Sequence, residues 1–97
     1  MTNIERITLI DWVHTIQSMM RRTRPDMPLN IDLVCLNEHN IQGFTDFERR
    51  YHGLLTGEKF ITIREAADNH LLYAVNVTGD SILTAVGELM NLIARKF

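Results

Sequence analysis

The residue types that most often carry out chemistry are scattered through this chain of 97 residues. Histidines stand at His14, His39, His52 and His70, and none belongs to a His-Glu-x-x-His motif. Glu48 lies four residues before His52, so on a helix both side chains would share one face and could offer two metal ligands. A zinc site needs three or four protein ligands, and the chain has no Cys-x-x-Cys pair or glycine-rich phosphate loop. We therefore predict neither a metal nor a cofactor.

Two further side chains are candidate nucleophiles. Ser81 follows a predicted strand in the order Gly79-Asp80-Ser81, which is similar to the serine of some esterases. Such a serine needs a partnered histidine and oxyanion donors, and a helix cap explains Ser81 more simply. Cys35 lies in an apolar run, where the reactive thiolate is disfavoured. We predict that the chain is not an enzyme and has no catalytic residue.

Composition limits the class of protein. The chain is 45% hydrophobic and has a formal net charge of -2. We expect one folded domain over residues 1–97, with no overall attraction to nucleic acid or membranes. The single cysteine fits a reducing compartment. No run approaches the roughly 18 apolar residues of a membrane span, and the N-terminus lacks an apolar signal core. We predict a cytoplasmic protein that does not contact membranes.

Residues 58–97 contain the clearest structural signals. Ile61 and Ile63 alternate with polar residues, and residues 71–77 form a second alternating run, so both segments predict strands. Residues 67–70 between them have turn chemistry. From Ile82 onward apolar residues recur at helical spacing, which predicts a helix that packs on the sheet. The predicted stripe of this helix is Ile82, Val86, Leu89, Ile93 and Phe97.

The hairpin is predicted to turn through an odd number of residues, because both strands should bury their apolar side chains on one face. A slip of one residue would reverse the faces of one strand. We predict the loop 67–69, with Asn69 at positive φ because asparagine tolerates the left-handed conformation. The predicted pairs are Ile61 with Val75, Ile63 with Tyr73 and Glu65 with Leu71, and the face to be buried includes Leu71, Tyr73 and Val75.

A helix is also predicted at the N-terminus. Thr2 and Glu5 have the spacing of a capping box, and Pro25 disfavours helix beyond about residue 23. Trp12 should be buried with Leu89 and Ile93, where the two long helices meet or lie side by side on the sheet. The predicted stripe of the first helix is Leu9, Trp12, Val13, Ile16, Met19 and Met20.

A short helix is predicted in the middle of the chain. Thr45 and Glu48 repeat the capping-box spacing. They indicate a helix over residues 46–55, closed by Gly57 in a left-handed conformation. Its predicted inward-facing residues are Phe47, Tyr51, Leu54 and Leu55.

The predicted fold is an α+β layer. Residues 29–36 are nearly all apolar and indicate the first strand, and residues 41–44 are interpreted as a short return strand. A long loop over residues 41–55 is the alternative. The order is helix, strand, optional strand, short helix, strand, strand, helix. A three- or four-stranded, mainly antiparallel sheet should therefore carry the N- and C-terminal helices.

This order of helix, three strands and helix is similar to that of double-stranded-RNA-binding domains. Residues 79–81 also resemble the entry into the last helix of that family. In the family, lysines at the start of this helix bind phosphates. Here those positions carry Ile82, Leu83 and Thr84, so the resemblance implies shared topology at most and gives no evidence of RNA binding.

Ile4, Ile7 and Ile10 lie away from the predicted stripe of the first helix. Burial on two sides, or a partly extended start of the chain, would explain them. A contiguous exposed patch would instead indicate a partner. We predict a partner-binding surface at these isoleucines, either in a homodimer or against a different protein.

Arg21, Arg22 and Arg24 form the densest positive cluster in the chain. Cations are favourable at the C-terminus of a helix, which would explain the cluster without a partner. We also predict it as a binding site for an anion or an acidic partner. Because no aromatic residues are interleaved with these arginines, they are only weak evidence for nucleic-acid binding.

These observations favour a non-enzymatic protein-binding module. It would act as a small regulator, adaptor or inhibitor by occupying a partner's surface, as compact inhibitors of host systems from phages or mobile elements do. One alternative is a nucleic-acid-binding module that uses Arg21, Arg22, Arg24, Arg49 and Arg50. The other is a small ligand-sensing domain. The identity of the partner does not follow from the sequence.

Overall fold

The computed structural model describes residues 2–97. Its elements in chain order are α1 (Asn3–Thr23), β1 (Leu29–Cys35), a 3-10 helix (Asn40–Gly43), α2 (Asp46–Tyr51), β2 (Lys59–Glu65), β3 (Leu71–Asn76) and α3 (Ile82–Lys96). The strands form one antiparallel sheet in the order β1-β2-β3. α1 packs against β1 and against α3. The predicted α+β class and element order are confirmed, with three strands in the sheet.

The predicted helix starts are also confirmed. Thr2 and Glu5 form a reciprocal capping box at the start of α1. Ser81 Oγ accepts a hydrogen bond from the N–H of Thr84 at 3.2 Å, so Ser81 caps α3 as expected. These caps satisfy backbone donors that the first turn of a helix otherwise leaves free.

α1 lies along the outer edge of β1, and two polar side chains hold it there. Gln17 Oε1 accepts a hydrogen bond from the N–H of Ile31 at 2.8 Å. Arg21 Nε donates to the carbonyl oxygen of Leu29 at 3.3 Å. These bonds occupy backbone groups that an edge strand would otherwise expose. They also set the rotation of α1, so that the flank carrying Trp12, on the opposite side of the helix, faces away from β1.

This rotation corrects the predicted stripe of α1. Trp12 is 51% exposed and Met19 is 54% exposed, so the prediction that they belong to the core is wrong. Leu89 of α3 is fully buried, as expected, but not under Trp12. The buried members of the predicted α1 stripe are Leu9, Val13 and Ile16.

Both faces of the sheet are covered. The face under α1 and α3 holds the larger core, whose buried residues are Leu9, Val13, Ile16, Leu29, Ile31, Ile61, Ile63, Val77, Ala85, Leu89 and Leu92. The connection between β1 and β2 covers the other face. Its smaller core consists of Leu36, Phe44, Leu54, Phe60 and Leu71.

The hairpin between β2 and β3 keeps the predicted pairing of its inner residues. These pairs are Ile61 with Val75 and Ile63 with Tyr73. Asn69 has a φ of 61°, as predicted. The loop is nevertheless residues 66–69, an even number, because the N–H of Glu65 donates to the carbonyl oxygen of His70.

A four-residue loop alone would put the apolar side chains of β2 and β3 on opposite faces of the sheet, and a β-bulge brings them back onto one face. The bulge sets Arg64, and not Glu65, opposite Leu71. The extra residue turns the start of β3 over, so Leu71 lies in the smaller core on the far face. The prediction that Leu71 shares the face of Ile63 is therefore wrong.

The predicted strand over residues 41–44 is wrong as well, since the chain forms a 3-10 helix there. Asn37 Oδ1 accepts hydrogen bonds from the N–H groups of His39 and Asn40, at 2.8 Å each. Asn40 Nδ2 donates back to the carbonyl oxygen of Cys35 at 2.9 Å. These local bonds curl the chain directly after β1 and compete with strand pairing.

α2 is shorter than predicted and ends at Tyr51. Gly53 closes it with a φ of 65°, and the N–H of Leu54 donates to the carbonyl oxygen of Arg49 at 2.9 Å, a Schellman closure. Gly57 is left-handed too, but its N–H donates to Leu36. Of the four residues predicted to face inward, only Leu54 is buried; the exposed ones are Phe47, Tyr51 and Leu55.

Candidate protein-contact surface

An exposed apolar surface follows the outer side of the helix layer. We call it the helix patch and define it as Trp12 and Met19 of α1 with Leu83 and Met90 of α3. Leu83 is 85% exposed and Met90 is 46% exposed. Met19 and Met90 line one depression of about 100 Å³ between the two helices. The patch is therefore continuous across the α1–α3 seam.

The helix patch lies on two stripes that carry no charge, one from Thr8 to Thr23 on α1 and one from Leu83 to Ala94 on α3. The stripe on α1 is Thr8, Trp12, Thr15, Met19 and Thr23, and the stripe on α3 is Leu83, Gly87, Met90 and Ala94. Residues at these spacings share one side of a helix. Charge begins at the outer margin of the α1 stripe, where Asp11 and Arg22 are exposed.

The hydroxyl groups of the threonines in the α1 stripe are already hydrogen-bonded within the helix. Each hydroxyl donates to the carbonyl oxygen four residues earlier, at 2.8 Å for Thr8 and Thr15 and at 3.0 Å for Thr23. Because the hydroxyl donor is satisfied inside the helix, covering these residues leaves no unpaired hydroxyl proton. The stripe can therefore be covered by an apolar surface at low cost in desolvation.

The predicted isoleucine surface is divided by the structure. Ile4 and Ile7 are exposed near the start of α1, whereas Ile10 is half-buried. Helical geometry puts Ile4 beside the α1 stripe, whereas Ile7 lies further round the helix, on the flank of His14, which pairs with Asp32 of β1. Ile4 can extend a contact made by Trp12, but Ile7 and Ile10 lie toward the other flank.

The three arginines of the predicted cluster also differ in their surroundings. Arg21 bonds to β1, as described above. Arg24 donates to the carbonyl oxygen of Phe97 at the end of α3. Arg22 is exposed, so it is the member of the cluster best placed to meet a partner. Outside the cluster, Arg49 pairs with Asp46 within α2.

A second exposed apolar group lies on α2, over the opposite face of the sheet. The rings of Phe47 and Tyr51 stack with centroids 5.5 Å apart and planes 18° apart. Glu48 anchors this helix: its Oε1 accepts the N–H of Thr45 at 2.9 Å and its Oε2 accepts the N–H of Leu71 at 3.3 Å. α2 is therefore tied to β3 by one buried carboxylate.

The pKa of Glu48 reflects this environment. Burial by itself raises the pKa of Glu48, but the hydrogen bonds from Thr45 and Leu71 and the positive charge of Arg64 outweigh it. The pKa of Glu48 is therefore lowered, and its carboxylate stays ionised at neutral pH. The capping box predicted for Thr45 and Glu48 is present, and the long-range bond to Leu71 adds a role that spacing alone does not indicate.

A pair of acidic groups lies at the start of α3. Burial, then the hydrogen bond and the charge of neighbouring Asp80, raise the pKa of Glu88. The ionised form of Glu88 is disfavoured because its negative charge is repelled by that of Asp80.

The histidines do not come together into a metal centre in the structure. His14 Nε2 lies 3.2 Å from Asp32 Oδ1, and this exposed pair links α1 to β1. Burial lowers the pKa of His52, and the charge of Glu48 opposes this only in part. Across residues 2–97 no group of three or more His, Cys, Asp or Glu side chains is placed to hold a metal ion.

Two surface depressions on the helix layer are small. One, of about 210 Å³, is lined by Thr8, Asp11, Trp12 and Thr15, and the second is the seam depression described above. Ligand pockets usually hold about 300–1,000 Å³. In the part of the chain that the structure describes, no helix is both long enough and apolar enough to cross a membrane.

The chain matches no protein-family model, no curated protein and no solved structure. The surface itself is therefore the basis for a function. The sequence predicts a core position for its main members, Trp12 and Met19, because both are apolar and near the core stripe. A stripe of α1 without charge was visible in the sequence and could have indicated a second apolar side.

Proposed function

We propose that this chain is a non-enzymatic protein-binding module that acts by laying the helix patch against another protein surface. The observation that carries the proposal is the exposure of Trp12, Met19, Leu83 and Met90 on one side of the helix layer. Contiguous apolar groups that stay exposed on a folded protein usually mark contact sites. A role as a small regulator, adaptor or inhibitor is consistent with such a surface.

The composition of the patch supports a protein partner. Tryptophan and methionine are enriched in protein interfaces, and charged residues are depleted at their centres. Met19, Thr23 and Met90 of the two stripes line a shallow depression between α1 and α3. An apolar depression between two helices suits the apolar side of a helix.

The charge distribution favours this proposal over nucleic-acid binding. Phosphate recognition needs several free cations on one face. Arg21 and Arg24 are used in hydrogen bonds within the chain, and Arg49 is paired with Asp46. The small volumes of the two depressions also make ligand sensing the weaker alternative.

The proposal is tested by affinity capture from an extract of the native host, read by mass spectrometry. The immobilised baits are the wild-type chain, Trp12→Glu in the helix patch, and Phe47→Glu as a matched control on the opposite face. We expect proteins that wild type and Phe47→Glu retain and Trp12→Glu loses. A captured set that is the same for all three baits would contradict the proposal, provided thermal unfolding shows that each bait is folded.

A further inference from the structure

The α1 part of the helix patch is self-complementary. It carries Met19, whose side chain is about half exposed, and a depression of about 210 Å³ beside Trp12. Charges of both signs, Asp11 and Arg22, lie along its outer margin. A surface that has both an exposed side chain and a recess, and both signs of charge, can pair with a copy of itself about a two-fold axis.

We infer that the partner of the helix patch is a second copy of this chain, docked with the two α1 helices antiparallel and crossing near Thr15. This inference rests on the proposed function, because it names the partner of the same surface. In this arrangement Met19 of each copy enters the depression beside Trp12 of the other. Leu83 and Met90 of each α3 extend the apolar contact to either side.

The spacing along α1 fits this arrangement. Trp12 and Met19 are symmetric about a point between residues 15 and 16, and Asp11 and Arg22 about a point between residues 16 and 17. At the rise of an α-helix these two points are only about 1.5 Å apart. One two-fold axis can therefore relate both the apolar pair and the charged pair. The arginine side chain is long and flexible enough to span the offset of about 1.5 Å between the two points.

Charge selects the antiparallel orientation over the parallel one. With antiparallel helices, Asp11 of each copy faces Arg22 of the other, which makes two attractive pairs. With parallel helices in register, aspartate would face aspartate and arginine would face arginine. Opposed like charges disfavour an interface. The hydroxyls of Thr8 and Thr15 are already satisfied by their own helix, so the crossing point can lose water without leaving them unpaired.

The test uses charge exchange and sedimentation equilibrium at low salt. Asp11→Arg alone, or Arg22→Asp alone, turns both attractive pairs into repulsive ones. Each change should raise the dissociation constant of the dimer about ten-fold. An equimolar mixture of the two variants re-forms both attractive pairs in the heterodimer and should return to within about three-fold of the wild-type constant. Glu38→Arg and Arg50→Asp make the same changes of charge at exposed sites on the other side of the sheet.

A further variant tests the apolar contact. Met19→Glu would place a charge in the depression of the other copy and should weaken the dimer about a hundred-fold or more. Because Met19 is exposed in the isolated monomer, the variant should still fold. Its circular dichroism and thermal unfolding would show this.

The outcomes separate this inference from the proposed function. A wild-type dimer that is weakened by both single variants, restored by their mixture and unaffected by the controls supports self-pairing. A wild type that stays monomeric up to about millimolar concentration overturns it, as does a dimer that the mixture fails to restore. If such a monomer still captures a protein that Trp12→Glu loses, the proposed function stands and the partner is a different protein. If it captures none, both are overturned.

Discussion

Glu48 provides the sharpest test of how the far face of the sheet is held together. Its carboxylate is 8% exposed and bonds to the N–H groups of Thr45 and Leu71. Glu48→Ala leaves the N–H of Leu71 without a partner at a buried position, which costs about 1–3 kcal/mol. The loss of half of the capping box adds about 0.5–1 kcal/mol. We expect a total loss of about 1.5–4 kcal/mol in the free energy of unfolding.

The assay is urea unfolding at pH 7, followed by circular dichroism. Glu48→Gln should lose less than Glu48→Ala, about 1–2 kcal/mol, because one of its two side-chain oxygens remains as an acceptor. Glu38→Ala is the matched control, since Glu38 is exposed and should change stability by less than about 0.5 kcal/mol. A loss below about 0.5 kcal/mol for Glu48→Ala would refute the account of this carboxylate as the link between α2 and β3.

The same carboxylate predicts a pH dependence. The pKa of Glu48 in the folded chain is lowered from its usual value of 4.5. The unfolded chain therefore binds the proton more readily, and the stabilisation from Glu48 is complete above about pH 4.5 and is lost as the pH falls through the folded pKa. The gap in stability between wild type and Glu48→Gln should narrow from pH 7 to pH 3. A gap that widens toward pH 3 would show that the sign of the shift is wrong.

Three further predictions concern stability. Leu89→Ala should cost about 2–5 kcal/mol in urea unfolding, because Leu89 is fully buried; a loss below 1 kcal/mol would mean that the core is misassigned. Gly53→Ala should lower stability by about 1–2 kcal/mol because φ is +65°, whereas Gly87→Ala, equally free of clashes but within α3, should raise it by about 0.5–1 kcal/mol; equal effects would contradict the left-handed closure of α2. Glu88→Gln should raise the melting temperature at pH 7 and have little effect at pH 4, because a raised folded pKa makes ionisation of Glu88 unfavourable to the folded chain; a melting temperature lowered at pH 7 would contradict that shift.

The fold was predictable where local signals and global packing agree. The caps at Thr2, Thr45 and Ser81 and the two alternating strands each point to one structure. The hairpin shows a limit of these local signals, because they do not determine its loop length. Asn69 adopts the predicted conformation, but its loop is even-numbered and a bulge corrects the register. Either an odd loop or an even loop with a bulge satisfies the same apolar pattern, so the pattern cannot choose between them.

The rotation of α1 was not predictable from its own residues. Apolarity alone assigns Trp12 and Met19 to the core, because they flank a stripe that is buried. Their exposure follows from Gln17 and Arg21, which bond to the edge of β1 on the other flank. That contact depends on which strand lies beside the helix, and sequence periodicity does not contain this information. Because Arg21 is used in this contact, it is not free to bind a partner as the predicted cluster requires.

The exposure of Ile4 and Ile7 agrees with the apolar flank that the sequence indicates, while their part in binding stays a prediction. The α2 helix illustrates a different limit. Phe47 and Tyr51 have the size and apolarity of core residues, yet they stack on each other at the surface. The left-handed Gly53 turns the chain before the helix can carry Leu55 inward.

We expect the helix patch to become covered by protein. Trp12 is the single tryptophan of the chain, so its fluorescence reports on this surface alone. The measurement is acrylamide quenching of Trp12 over a range of protein concentration, for wild type and for Met19→Glu. We predict that quenching of wild type weakens and its emission shifts to the blue as concentration rises, while Met19→Glu keeps the signal of a half-exposed tryptophan. Quenching of wild type that does not change with concentration, nor in the presence of any protein captured through the patch, would contradict this expectation.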